Sequence, residues 1–181
     1  MTKLYKLTDS KDETKNATQW GKGVTHTAAG GERPLCSDAW LHAYSDPTLA
    51  LLMNPVHARF EHPHLWEAEG MVGKDEGSKV GCTELTTVRR IRKPKITLFM
   101  RRKFAVLVAL EVYDLWAKYD TRGVWKSWAA DFLAGRSTAA AHAAAHAAAD
   151  AAAHAAYAAA AAHAAYARKI DLAAIARKAC K

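Results

Sequence analysis

The spacing of apolar positions changes several times along this chain, and each spacing predicts a different element. Lys3 to Thr8 (KLYKLT) alternates charged and apolar residues, the period of a half-buried strand. Residues 9–23 are polar without a period and predict a loop that anchors Trp20, and Gly30-Gly31 marks a turn. The aromatic segment LCSDAWLHAY (35–44) predicts a strand leading into a helix. Ser45-Asp46-Pro47 supplies a capping side chain followed by proline in the first turn, the usual start of a helix. Leu49, Leu51, Leu52 and Met53 then point inward, and Asn54-Pro55 is expected to stop the helix. HLWEAEGMV (64–72) predicts a strand with Leu65, Glu67 and Glu69 on one face and Trp66 and Ala68 on the other. KDEGS (74–78) is a turn, and Val80 to Ile91 is its partner strand in a hairpin.

After Pro94 the period becomes helical. Thr97 caps a helix in which Phe99, Phe104, Leu107, Val108, Leu110, Val112 and Leu115 are apolar nearly all round, which predicts a buried central helix. Asp120 or Thr121 caps the next, with Val124, Trp125, Trp128 and Phe132 at helical spacing and Gly135 as its C-cap. Ser137 or Thr138 opens a third stretch in which 22 of the 29 residues from 139 to 167 are Ala. Alanine has the highest helix propensity, so this stretch predicts one long helix. His142, His146, Asp150 and His154 recur every four residues and make a slowly winding polar stripe. Tyr157, His163 and Tyr166 complete the interruptions. The end regains apolar residues at Ile170, Leu172 and Ile175, with cations that suit a helix C-terminus. The fold class expected is therefore α+β: a small N-terminal α+β domain over 1–135, with helices toward its end, then a long Ala-rich C-terminal helix in a tail over 136–181.

Charge sharpens this picture at one place. The chain has 26 basic and 18 acidic residues, a net +8. Arg89, Arg90, Arg92, Lys93, Lys95, Arg101, Arg102 and Lys103 lie in a window of 89–103 that holds no acid, so the rest of the chain balances at 18 against 18. A partner chosen by charge is expected to meet this window, and eight cations there suit nucleic-acid phosphates or an acidic protein surface. Cys36, Cys82 and Cys180 form no CxxC pair and fit a reducing compartment. The polar start predicts no signal peptide. The Ala run is long enough to cross a bilayer, but four His and one Asp argue against it, so no membrane partner is expected.

The blocks LYKLTD (4–9), TQWGKGVTH (18–26), LCSDAWLHAYSDPTLALLMNP (35–55), LWEAEG (65–70), KVGCTELTTVRRI (79–91) and FAVLVALEVY (104–113) resemble a family of small uncharacterised phage-encoded proteins. The resemblance covers about residues 4–113. Members of that family carry Ala-rich tails like this one. It implies a phage origin and the cytoplasm of the infected bacterial host. It implies no reaction, so no catalytic residue is carried over.

Candidate chemistry is sparse. His62 and His64 share a face of an extended segment and, with Cys36, His42 or His57, make a metal hypothesis. The i,i+4 histidines of the tail have Ala where a zinc protease has Glu, so that chemistry is missing. Cys36 with His42 is a conceivable nucleophile and base, without a recognisable motif. Glu67 and Glu69 share a strand face as solvated carboxylates, and no phosphate-binding glycine loop occurs. No catalytic residue, metal or cofactor is therefore assigned. The function expected is that of a non-enzymatic phage accessory protein, an oligomeric protein–protein interaction module that inhibits a host process or defence system. Its partner is a host or phage protein, and it self-associates through His142, His146, Asp150, His154, Tyr157, His163 and Tyr166. Nucleic-acid binding through 89–103 is the alternative, and an enzyme with a cryptic Cys/His site the second.

Overall fold

The computed structural model describes residues 1–117, 120, 122–136 and 170–181. Its framework is a long antiparallel hairpin, β6 (His64–Asp75) and β7 (Val80–Ile91). Strand β1 (Thr2–Thr8) pairs with β6 from Thr2 opposite Gly70 to Thr8 opposite His64. The free side of β7 is shared by β5 (Leu41–Ala43), which pairs with 80–82, and β4 (Val24–Thr27), which pairs with 84–87. Just past β5, Tyr44 exchanges two backbone hydrogen bonds with Tyr5 of β1, at 2.8 and 2.9 Å. The sheet thus curls back on its first strand. The loop before Trp20 contains a two-residue hairpin, β2 (Glu13–Thr14) with β3 (Thr18–Gln19).

The curl gives β1 two different buried faces. Tyr5 and Leu7 look outward onto α1 (Pro47–His57), α2 (Leu98–Glu111) and α5 (Leu172–Ala179), in a core with Leu49, Leu52, Met53, Leu65, Phe104, Leu107, Leu172 and Ile175. Leu4 looks inward with Trp20, Ala43, Ala68, Val80, Cys82 and Leu85. Because the side-chain period of a strand is two, Lys6 and Thr8 share the inward face with Leu4. Both helices and an antiparallel sheet are present, as an α+β chain requires.

Asp46 caps α1 as its position predicts, accepting from the backbone N–H groups of Thr48 and Leu49. The helix does not stop at Asn54-Pro55, however, and runs to His57. Pro55 has no N–H to donate to the Leu51 carbonyl. The Arg101 guanidinium of α2 donates to that carbonyl at 3.2 Å, so the missing bond is replaced from 50 positions away. The Asn54 side chain then bonds both the N–H and the C=O of Phe60 and folds the exit of the helix.

Thr97 caps α2 as expected, but the helix is not buried all round. Phe104, Val106, Leu107 and Ala109 face inward, whereas Leu98 and Phe99 are exposed. It ends at Glu111 and gives way to the short α3 (Tyr113–Trp116), where Leu115 is exposed. Asp120 receives the N–H groups of Trp125 and Lys126 at the start of α4 (Val124–Leu133), and Gly135, with φ of 68°, closes it. The long Ala-rich helix expected over 139–167 lies outside the described residues, as do its capping residues. The helix described beyond it, α5, packs against α1 and α2, and its Arg177 pairs with Asp46 at 2.9 Å. The core therefore includes residues past the expected boundary at 135. Among the described residues no helix is long and apolar enough to cross a membrane.

Candidate functional site

A cleft of about 580 Å³ opens beside β5, between the end of α1, the 14–20 loop and the 36–42 segment. Its wall is set by Trp40. That ring lies over Gly73 and Gly81 of the hairpin, where an added Cβ would stand 2.6 and 3.0 Å from it, so only glycine leaves room. The indole N–H of Trp40 donates to the Arg33 carbonyl at 3.0 Å, and Leu35 is fully buried beside it. Seating Trp40 and Leu35 fixes the exposed Cys36 between them and the hairpin.

Cys36, His42 and His57, singled out in the sequence by residue type, all line this cleft. The structure adds Lys6, Tyr44 and Lys79, which the sequence did not single out. Lys6 is only 6 % exposed. Its ammonium donates to the His42 carbonyl at 2.7 Å and sits 4.6 Å from the centre of the Trp20 ring. Burial pushes its pKa down from the ordinary 10.5 to about 8, opposed only in part by the nearby Cys82. Lys79 is 7 % exposed, and its ammonium donates to the Cys36 sulfur at 3.0 Å.

The two histidines are neutral near pH 7. Burial first, then the surrounding lysines, holds His42 at about 4, with its Nε2 donating to the Leu35 carbonyl. Burial holds His57 at about 3, with Nδ1 bonded to the Tyr44 hydroxyl at 3.1 Å. Burial also pushes the Tyr44 phenol up and the Cys82 thiol up to about 11. Among the described residues Asp38 is the one carboxylate lining the cleft, and it pairs with Arg33 at 2.7 Å.

The two histidines of the metal hypothesis are not brought together with these groups. His62 is exposed on the loop, and His64 on β6 bonds Asp12 at 2.7 Å under the Arg90 guanidinium. Among the described residues no group of three or more His, Cys, Asp or Glu side chains is placed to hold a metal ion. Glu67 points outward, paired with Lys3 at 3.1 Å and Arg89 at 2.6 Å, and these cations hold its carboxyl below the usual range. The basic window is partly engaged within the chain. Arg89 pairs with Glu67, Arg90 lies on His64, Lys93 donates to the Pro63 carbonyl and Arg101 to Leu51. Arg102 and Lys103 are half-buried, which leaves Arg92 and Lys95 as exposed cations of the linker between β7 and α2. The expected self-association residues from His142 to Tyr166 lie outside the described residues. No family model, curated protein or solved structure matches the chain.

Proposed function

We propose that this is a phage accessory protein that acts by binding rather than by turnover, with the cleft holding an acidic ligand of host or phage origin. One observation carries this reading. The cleft gathers Cys36, His42 and His57 of the cryptic Cys/His hypothesis, without His62 and His64, yet none is paired as nucleophile with base. His42 is spent on a backbone carbonyl and His57 on Tyr44, so neither is free to take a proton from Cys36. Imidazoles held at about 4 and 3 are weak bases near neutrality. The groups that remain are cations and aromatic walls, which bind. In this proposal the Ala-rich segment assembles copies of the chain, and inhibition of a host process is the role that the phage resemblance supports.

A second reading is a contact with an acidic protein surface at 92–99. It is favoured by exposed Arg92 and Lys95 standing beside exposed Leu98 and Phe99. Nucleic-acid binding through the same window is weaker, because four of its eight cations already contact other residues of the chain.

The test uses immobilised protein exposed to host extract with and without nuclease, followed by analysis of released small molecules and captured proteins. The account expects an anionic small molecule from the native chain and none from Lys79→Met. A captured protein lost on changing Arg92 and Lys95 to Ser, with no released ligand, would move the function to the second reading.

A further inference from the structure

Two buried ammonium groups in one cleft raise a question of charge. Removing an ammonium from water is costly unless a counter-charge meets it. Lys6 and Lys79 flank β5 from its two sides. Lys6 reaches the His42 carbonyl from β1, and Lys79 directly precedes Val80, the residue opposite Ala43. Both act on the His42 imidazole, as does Lys15 at the rim. Among the described residues their partners are a carbonyl oxygen, an indole ring and a thiol, none of them a carboxylate. Asp38 is already paired with Arg33.

The fold therefore leaves about two positive charges facing one cavity. A phosphate monoester carries about −1.5 to −2 near pH 7, which matches them, whereas a carboxylate supplies half of that. The remaining lining is of two kinds. Trp40, Tyr44 and Phe60 offer flat apolar walls, and Thr14, Asn16 and Thr18 of the 14–20 loop, with Ser37 beside Cys36, offer hydroxyl and amide groups. A volume of about 580 Å³ is larger than phosphate alone fills and falls in the range of sites for small organic ligands.

We propose that the cleft binds a nucleoside monophosphate: its phosphate lies between Lys6 and Lys79, its base against Trp40 and Tyr44, and its sugar along the Thr14–Thr18 loop. This rests on the cleft being the binding site, as argued above, and names the ligand class. Cys36 reports on occupancy, because its sulfur touches Lys79 and is exposed in the free protein.

The experiment is a calorimetric titration of the full-length protein with a purine and a pyrimidine nucleoside monophosphate, the matching nucleosides and inorganic phosphate. Alkylation of Cys36 is followed in parallel by peptide mass. At least one monophosphate is expected to bind at least about tenfold more tightly than its nucleoside and than inorganic phosphate, the scale of one charge-assisted contact. The same ligand slows Cys36 alkylation. Lys79→Met is expected to abolish the difference between monophosphate and nucleoside, and Lys79→Arg to keep it, with unchanged circular dichroism showing that both fold. Equal binding of nucleoside and monophosphate, or no binding by a folded native chain, overturns the proposal. If the host-extract test still releases a Lys79-dependent anion, only this ligand assignment fails and the binding cleft stands. If it releases none, both fail.

Discussion

The two faces of β1 differ as much as any two regions of this molecule. Leu7 and Tyr5 meet leucines, methionine and phenylalanine from three helices, in a core built from dispersion and exclusion of water. One residue along the strand, Lys6 is buried just as deeply but brings a charge whose partners are a carbonyl and an indole. The first face adds to stability, whereas on the second the Lys6 charge subtracts from what Leu4 and its apolar neighbours add. That cost, confined to one cavity, supports the proposal that the cleft is a binding site.

The comparison breaks most severely at the helix face. Phe104→Ala removes a fully buried ring from the contact between α2 and the sheet and is expected to cost about 3–5 kcal/mol in urea unfolding. The opposite sign is expected on the other face. Lys6→Met is expected to stabilise the chain by about 3 kcal/mol at pH 7, the free energy of holding the ammonium at about 8 against its ordinary 10.5. The sign follows from linkage. The unfolded chain holds the Lys6 proton more tightly than the native one, so the native charge is a full penalty below about pH 8. That penalty fades as pH rises from about 8 toward 10.5. The stabilisation by methionine is therefore expected to shrink over that window. The smallest effect concerns the link between helices. Asp46→Ala removes the cap of α1 and the partner of Arg177, and is expected to cost about 0.5–2 kcal/mol, with faster amide exchange in α5.

What the sequence shows depends on whether the deciding contact is local. The ends of β7, the Asp46 cap and the Thr97 cap are set by neighbouring residues and were legible. Pro55 was misread because its missing bond is supplied by Arg101, which no local rule connects to it. Phe99 stays 50 % exposed although its ring meets Phe132 of α4 at 5.4 Å, a partial cover that an all-round apolar pattern conceals. In the cleft, Cys36 and His42 stood out by residue type. Lys6 did not, because a lysine in an alternating strand reads as the wet face. The available signal was its place between Tyr5 and Leu7, which both pack against the helices, and that emerges only when the sheet curls and both faces of β1 are covered. Lys79 sat in a polar turn and gave no sign.

In the free protein Lys6 carries a buried ammonium with no carboxylate partner among the described residues. Its side-chain NMR resonance, followed from pH 6 to 12, tests this directly. The account predicts a midpoint near 8 in the free chain, rising when a nucleoside monophosphate is added. An ordinary midpoint near 10.5 in the free protein, unmoved by ligand, would contradict it.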